Sequence, residues 1–212
     1  MILVLFLINF TGYMKNICLL SLDTDKNIRK DFDSFEKFSV GHKLIQFNNP
    51  INEFNLAQLK SQLVSYEQQK NTVFGCTSAT ATIGKYIEDH FINPLSCLEK
   101  WCVSNSYNKL SLITPYTEDV HCIVKNWLEN KNIDVVYNRF LGFESDLEIQ
   151  EIGEKRIKQE IKLATSKSTP VFVSCTALPI YPMLKQNNIY NLCPITSSNH
   201  IMEWYLNESS KS

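Results

Sequence analysis

Two short stretches of the chain share a pattern in which a strand-like run ends in a small residue followed by Cys-Thr. Residues 72–79 read TVFGCTSA and residues 170–177 read PVFVSCTA. A strand of this kind delivers its last side chains and free backbone N–H groups to the carboxyl edge of a parallel sheet, where α/β proteins bind ligands. We predict that Cys76 and Cys175 each lie at the N-terminus of a helix, where the partial positive charge lowers the pKa of a thiol. Two such thiols from two similar halves would act on opposite faces of one small acid.

The remaining cysteines lack this setting and are expected to pack in the interior, as free cysteines commonly do. They are Cys18, Cys97, Cys102, Cys122 and Cys193. The chain has seven cysteines and its sequence contains neither a CxxC pair nor a Cys/His set with zinc-finger spacing, which favours free thiols in a reducing compartment. We therefore expect a cytoplasmic protein without a metal centre. The adjacent His121 and Cys122 would point in different directions on a helix, which argues against a shared metal ion.

The charge and hydropathy of the chain limit its partners. The 212 residues carry a formal net charge of −1, and the lysines and arginines are spread without the dense basic patch that nucleic acid requires. Residues 1–10 are almost wholly apolar, yet this run is too short to span a bilayer and lacks the basic region of a signal peptide. We expect residues 1–13 to be a non-native or disordered extension, with Met14 as the natural initiator. Neither nucleic acid nor a membrane is expected as a partner.

Short apolar runs alternate with longer amphipathic stretches along the chain, which predicts an α/β fold with parallel sheets and right-handed crossovers. The predicted strands are 17–22, 43–47, 72–75, 110–114, 133–137 and 171–173. The predicted helices are one ending at Phe38, 54–69, 79–90, one opening at Pro94, 118–130, and one built on Ile152, Ile157, Ile161 and Leu163.

The order of these elements is the same in both halves, so we predict two pseudo-symmetric lobes. Each lobe would be a mostly parallel sheet flanked by helices, with the site in the cleft between the lobes. Residues 14–92 plus 192–212 would form the first lobe and residues 93–191 the second.

Five motifs together resemble one enzyme superfamily. They are GCTS at 75–78, LITPYT at 112–117, LGFESD at 141–146 with Glu148 and Ile149, SCTA at 174–177, and PITSSN at 194–199. The chain resembles the aspartate/glutamate racemase superfamily, and within it the branch of maleate cis-trans isomerase and arylmalonate decarboxylase. The resemblance runs from about Ile17 to Tyr205 in the same order and spacing.

This resemblance implies a cofactor-independent enzyme that acts on a small carboxylic acid or amino acid. Cys76 would be the nucleophile or first acid/base, and Cys175 its partner on the other face. Thr77, Ser78, Tyr116 and Thr176 match positions that bind the substrate. Hydroxyl and backbone donors at these positions would hold the substrate carboxylate. From the residues alone, Thr77 and Ser78 could equally cap a helix, and Tyr116 could be a packing aromatic with a solvated hydroxyl. Members of the family are often homodimers, although no residue here indicates a subunit interface.

Three reactions and one non-catalytic role are compatible with these residues. In cis-trans isomerisation a thiolate adds to a double-bond carbon, rotation follows, and elimination gives the trans acid. In racemisation one thiolate removes an α-proton and the other thiol returns one from the opposite face. The similar decarboxylase has glycine at the position of Cys76, so keeping both cysteines argues against decarboxylation. The fourth reading is a sensor that binds small acids without turnover.

Two aspartates mark a departure from the isomerase pattern. Maleate isomerases have asparagine at the positions that match Asp25 and Asp146. An asparagine amide donates to a substrate carboxylate, whereas an ionised aspartate only accepts. If Asp25 and Asp146 line the cleft, we expect a substrate that offers a cation or a neutral donor, as an amino acid does. As alternatives, both aspartates could be protonated or could point away as solvated turn residues, and Asp25 could serve only as a helix cap.

Overall fold

A computed structural model describes residues 15–46, 53–186 and 193–211. The expectations for residues 1–13 and for Phe47 fall outside these ranges. The described residues form two parallel sheets flanked by helices, which confirms the predicted α/β class with two lobes. Within these residues no helix is long and apolar enough to cross a membrane.

The first sheet has three strands in the order β2-β1-β3. Its strands are β1 (Lys15–Leu22), β2 (Phe38–Ile45) and β3 (Thr72–Gly75). The helices around it are α1 (Asn27–Asp33), α2 (Glu53–Leu63), α3 (Thr77–Ile83) and α4 (Lys85–His90), with a 3₁₀ turn at Val64–Tyr66. Strand β1 lies at the centre and pairs in parallel with both neighbours.

The second sheet has four strands in the order β5-β4-β6-β7. Its strands are β4 (Lys109–Tyr116), β5 (Asp134–Phe143), β6 (Val171–Val173) and β7 (Ile195–Ser197). The helices in this part of the chain are α5 (Pro94–Ser104), α6 (Glu118–Asn130), α7 (Asp146–Gln150), α8 (Glu154–Thr165), α9 (Tyr181–Gln186) and α10 (Ser198–Glu208).

The two sheets repeat one topology. In each, the first strand of the half is central, the second pairs on one side of it, and the third pairs on the other side. The third strand of each half, β3 or β6, leads directly to its Cys-Thr pair. This repeat confirms the predicted pseudo-symmetry and brings both cysteines to the carboxyl edge of a sheet.

The last segment of the chain joins the two lobes. Strand β7 pairs with β6 in the second sheet, although the predicted boundaries place residues 192–212 with the first lobe. Helix α10, which follows at once, packs against α1 beside the first sheet and against α5. The exact lobe boundaries stay a prediction.

The predicted elements differ from the structure at several boundaries. Helix α1 ends at Asp33, and strand β2 begins at Phe38, earlier than the predicted strand 43–47. The predicted helix 54–69 ends as α2 at Leu63 and is followed by a 3₁₀ turn, and Ile152 precedes α8. The predicted helix 79–90 is two helices separated by Gly84, whose φ of +60° interrupts helical geometry. Strand β5 extends to Phe143, beyond the predicted end at Tyr137. The prediction stopped too early because β5 is an edge strand with alternating exposure, and such a strand lacks a continuous apolar run.

Alternation along the first sheet builds two apolar layers. Ile17 and Leu19 belong to a core that includes α1 and continues into the second lobe. Leu20 and Phe74 belong to a separate cluster that includes residues of α2. Since successive strand residues face opposite sides, the sheet is covered on both faces, and the lobes share one continuous core.

Gly75 is required by the packing of α1 on strand β3. A Cβ built on Gly75 would lie 2.1 Å from Ile28 Cδ1 and 3.3 Å from Leu19 Cδ1. Ile28 is fully buried in the core, so its side chain has little room to retreat. The residue before Cys76 is therefore small because a helix packs directly on it.

We predict that Gly75→Ala lowers the free energy of unfolding by about 1–3 kcal/mol, the usual cost of overpacking. Adding Ile28→Val removes the atom that the new Cβ meets, so the two changes together should cost less than the sum of the single changes. Gly41→Ala in strand β2 is the control, because its Cβ meets only the Ile17 carbonyl oxygen at 3.6 Å. Urea denaturation measures all four variants, and strictly additive costs would contradict this packing account.

Candidate active site

Hydrogen bonds between the two lobes bring the sheet edges together. The Thr176 hydroxyl, after β6, donates to the Gly75 carbonyl oxygen at 3.2 Å, at the end of β3. The Thr77 and Ser198 hydroxyl oxygens lie 2.8 Å apart, and the Thr24 hydroxyl donates to Asp146. The two Cys-Thr pairs are thus parts of one polar region where the lobes meet.

Cys76 occupies the position that the sequence predicts. It is the N-cap residue of α3, in extended conformation, and its side chain is 7% exposed. Its Sγ lies 3.5 Å from the Ser78 hydroxyl oxygen. The strand-to-helix junction predicted around the first cysteine is confirmed.

Cys175 occupies a different backbone setting from the predicted one. Its φ is +108°, and residues 176–180 form bends and turns before α9 begins at Tyr181. The prediction of a helix N-terminus at Cys175 is therefore wrong. Positive φ at Cys175 turns the chain out of a helical path, and Leu178 is kept from helical geometry because Pro179 follows it.

Burial sets the protonation of both thiols. It raises the pKa of Cys76 to about 12, with Asp146 and Asp25 adding to the rise while the Ser78 hydroxyl and the Ala79 amide oppose it. Burial likewise raises the pKa of Cys175 well above its ordinary value, again with contributions from Asp146 and Asp25. The expectation that a helix N-terminus lowers the pKa of both thiols is wrong, because desolvation outweighs the local donors. Both thiols are protonated at neutral pH.

Tyr116 lies beside both thiols. Its hydroxyl oxygen is 3.5 Å from that of Ser174, and its side chain is only 6% exposed. Burial raises the pKa of Tyr116, and both Cys175 and Cys76 contribute to that rise. The phenol therefore stays protonated and keeps a hydrogen to donate.

The other predicted hydroxyls also gather at this junction. Thr77 is buried and contacts Ser198, while Ser78 contacts the Cys76 thiol. Thr176 is buried and bonds to the end of strand β3. Neither Thr77 nor Ser78 provides the side-chain cap of α3, since Cys76 is its N-cap residue.

Asp25 combines a structural and an electrostatic role. Its Oδ1 accepts the backbone N–H groups of Asn27 and Ile28, both at 3.0 Å, at the start of α1. Its Oδ2 is buried and makes no hydrogen bond within the described residues. Burial raises the pKa of Asp25 to about 6, and the nearby Thr176 hydroxyl opposes this rise. The hydrogen of that hydroxyl goes to the Gly75 carbonyl oxygen and not to Asp25. The capping interpretation is thus correct for one oxygen only.

Asp146 approaches the same region from the second lobe. It is the first residue of α7, next to a capping box formed by Ser145 and Glu148. Burial raises the pKa of Asp146, and the hydrogen bond from Thr24 opposes the rise. Because Asp146 and Asp25 raise the pKa of both cysteines, the two aspartates and two thiols share one electrostatic environment.

Sequence analysis did not identify a buried polar link behind the second cysteine. Asn199 Nδ2 donates to Asp31 Oδ2 at 2.6 Å and to the Thr176 carbonyl oxygen at 2.9 Å. Burial raises the pKa of Asp31 to about 7, with Asp25 adding to the rise and Asn199 opposing it. Asn199 stands in the PITSSN motif, but nothing in the sequence links it to an aspartate 168 residues away.

A second unpredicted contact comes from Gln150 in α7. Its side chain accepts the Lys26 N–H and donates to the Thr24 carbonyl oxygen, both at 3.0 Å. These two bonds bracket Asp25 and fix the loop that carries it against the second lobe.

The remaining cysteines are mostly structural, with one exception. All of the described cysteines are free thiols, and Cys97, Cys102 and Cys193 are buried as predicted. Cys18 is half-buried, whereas Cys122 is exposed, so the prediction of an interior Cys122 is wrong. His121 occupies the buried face of α6, and the next residue on a helix points away from that face.

The chain has clear structural neighbours. Nocardia farcinica maleate cis-trans isomerase, as a cysteine-to-serine variant with a covalently bound succinylcysteine intermediate, aligns with a TM-score of 0.78 and 14% identity over 93% of each chain. The maleate isomerase Iso from Pseudomonas putida S16 aligns with a TM-score of 0.76 and 11% identity, also over 93% of each chain. A cysteine variant of arylmalonate decarboxylase in liganded form aligns with a TM-score of 0.70 and 12% identity over 91% of this chain and 92% of the other.

These likenesses show that the chain has the fold of maleate isomerases and arylmalonate decarboxylase, the branch that its motifs resemble. The sequence itself matches no protein-family model and no curated protein. The identities are low, so the activity of this chain has to be argued from its own residues.

The buried Asp31 predicts an unusual dependence of stability on pH. Because its pKa is about 7 in the folded protein against an ordinary 3.8, the folded state binds this proton more tightly than the unfolded chain does. The free energy of unfolding should therefore fall as pH rises between these two values. Each pKa unit is worth about 1.4 kcal/mol, so the Asp31→Asn variant should be more stable than the wild type above neutral pH by a few kcal/mol.

Urea denaturation across this pH range measures the effect. In Asp31→Asn the free energy of unfolding should still fall as pH rises, but less steeply. This remaining fall comes from Asp25 and ends near the Asp25 pKa of about 6. The control is Asp33→Asn, on the exposed side of α1, where Asp33 is paired with Arg29. Parallel pH profiles for the wild type and Asp31→Asn would show that Asp31 ionises without cost.

Proposed function

We propose that this protein is a cofactor-independent isomerase that uses Cys76 and Cys175 on opposite faces of a small carboxylic acid, and that its substrate bears an ammonium group, as in amino-acid racemisation. The observation that carries this proposal is the shared environment of the two thiols. Each thiol comes from a different lobe, both lie beside Tyr116, and both interact with Asp25 and Asp146.

The lobe arrangement supports chemistry on two faces. One thiolate removes the proton from the α-carbon, and the thiol of the other lobe delivers a proton from the opposite side. The carbanion formed between these steps is stabilised as an enediolate by donors aimed at the substrate carboxylate. We assign this role to the hydroxyl groups of Thr77 and Tyr116.

The two aspartates favour a cationic group on the substrate. An ionised carboxylate attracts an ammonium and repels a second carboxylate, and two like charges about 4 Å apart repel by roughly 4 kcal/mol at an effective dielectric of 20. Burial is the main cause of the raised pKa of both thiols, and an ammonium beside Asp25 and Asp146 cancels the smaller contribution that these two aspartates add. Binding of the substrate therefore favours the thiolate, and the thiol proton passes to solvent as the complex forms.

Cis-trans isomerisation of maleate is the second candidate. A structural neighbour that is a maleate cis-trans isomerase carries a succinylcysteine intermediate, which is the product expected from addition of a cysteine thiolate to a double bond. Cys76 would make the same addition here. Maleate, however, brings two carboxylates and no cation to Asp25 and Asp146, whereas aspartate and glutamate carry an ammonium group beside their two carboxylates.

The first prediction from this proposal concerns the two cysteines. Cys76→Ser should abolish turnover, and Cys175→Ser should reduce it severely while leaving a slow partial reaction. The double variant should be little worse than Cys76→Ser, because residues that act as a unit give non-additive losses. Cys122→Ser is the control, since this thiol is exposed on α6.

Proton NMR in D2O follows these variants with D- and L-aspartate, D- and L-glutamate, and maleate as separate probes. Loss of the α-proton signal reports proton abstraction, and a fumarate signal reports isomerisation. Wild-type rates in either single cysteine variant would reject the paired-thiol mechanism. Absence of turnover in the wild type, together with stabilisation by one of these acids, would favour a sensor.

A second prediction concerns selectivity. Asp25→Asn combined with Asp146→Asn should lower kcat/KM for the amino acid and raise it for maleate, because the carboxylates become neutral amides that donate to a dicarboxylate. In the wild type, kcat/KM for the amino acid should fall as pH drops through the Asp25 pKa of about 6, and the double variant should lose this acid limb. The exposed Asp33→Asn variant is the matched control. Efficient maleate turnover by the wild type, unimproved in the double variant, would show that the aspartates do not select the substrate.

A further inference from the structure

Ser198 contacts both Cys-Thr pairs at once. It is the first residue of α10 and is fully buried. Its Oγ lies 2.9 Å from the backbone nitrogen of Cys175 and 2.8 Å from the hydroxyl oxygen of Thr77. One hydroxyl thus connects the residue after Cys76 to the backbone of the second cysteine.

Capping of α10 does not account for this side chain. The N-cap of α10 is Ser197, whose hydroxyl oxygen accepts the His200 N–H at 3.4 Å. The Ser198 hydroxyl has its hydrogen bonds outside its own helix, and both go to residues that flank or form the thiol pair. Its role lies at the site and not in the start of the helix.

The Cys175 amide fixes one hydrogen bond of Ser198, because an amide can only donate and Ser198 Oγ therefore accepts there. In the contact with Thr77 either hydroxyl can be the donor. When Ser198 donates, Thr77 keeps its own hydroxyl hydrogen for a further acceptor, and a substrate carboxylate in the site is such an acceptor.

The same bond holds an unfavourable backbone conformation. Cys175 has a φ of +108°, which a residue with a side chain keeps only when its surroundings impose it. The Ser198 hydroxyl oxygen accepts the amide N–H of Cys175. Asn199 Nδ2 donates to the carbonyl oxygen of the following residue, Thr176, at 2.9 Å. The Ser198-Asn199 pair therefore sets where the second thiol points.

We propose that Ser198 is a positioning residue that holds Cys175 in its reactive orientation and turns the Thr77 hydroxyl toward the substrate carboxylate. This inference rests on the proposed function, since it concerns the same site. Ser198 itself does not touch the reacting atoms.

The test compares two adjacent buried serines. Ser198→Ala removes the bridge, whereas Ser197→Ala removes an ordinary helix cap from the preceding residue. Both should lower stability, but Ser198→Ala should reduce kcat for α-proton exchange of L-aspartate in D2O by about 10- to 100-fold beyond Ser197→Ala, as expected for a misplaced catalytic group. Its KM should also rise, because Thr77 loses its orientation. Ser198→Thr, which retains the hydroxyl, should recover most of the kcat. Equal kinetic losses in Ser197→Ala and Ser198→Ala would overturn the proposal.

A second measurement keeps the inference testable if the wild type turns over none of the acids tested. Ser198→Ala should lower the folding equilibrium constant about 10-fold, the usual effect of a lost buried hydrogen bond. The loss should be smaller in a Thr77→Val background, where the bridge is already broken. Strictly additive losses in this double-mutant cycle, measured by urea denaturation, would show that no bridge joins the two motifs.

Discussion

The contact between the carboxyl edges of the two sheets is the constraint on which the rest of this structure depends. The Thr176 hydroxyl reaches the last carbonyl of strand β3, and the junction buries Cys76, Cys175, Tyr116 and Asp25. Desolvation then decides the chemistry, because it raises the pKa of both thiols and of the nearby aspartates together. On the proposed mechanism, a charged substrate makes the site reactive by changing its electrostatics.

Burial of carboxylates without a matching cation costs free energy that folding must supply. Asp25 uses one oxygen to cap α1 and keeps the other without a hydrogen bond within the described residues. Asp31 accepts a hydrogen bond from Asn199 Nδ2 at 2.6 Å. Natural proteins keep such destabilising arrangements mainly at functional sites, and an ammonium-bearing acid would recover part of the cost on binding.

The sequence contained enough information to predict the α/β class, the repeat of the two lobes and the surroundings of Cys76. Those features follow from strand-like runs, glycine and hydroxyl residues that are local in the chain. The backbone of Cys175 could not be predicted, because its positive φ is imposed by Ser198 and Asn199, which are distant from it in sequence. The direction of the thiol pKa shifts was also beyond the sequence, since it depends on how deeply the lobes bury the site.

The most direct test of the paired-thiol account is the location of deuterium early in the conversion of a single enantiomer. L-aspartate and L-glutamate are incubated separately with the wild-type protein in D2O, and both enantiomers are analysed at low conversion. Two thiols on opposite faces should give a D-enantiomer that carries deuterium at the α-carbon while the remaining L-enantiomer retains its proton. Deuterium that enters the L-enantiomer as fast as the product, or conversion of maleate to fumarate with no exchange of either amino acid, would contradict the account.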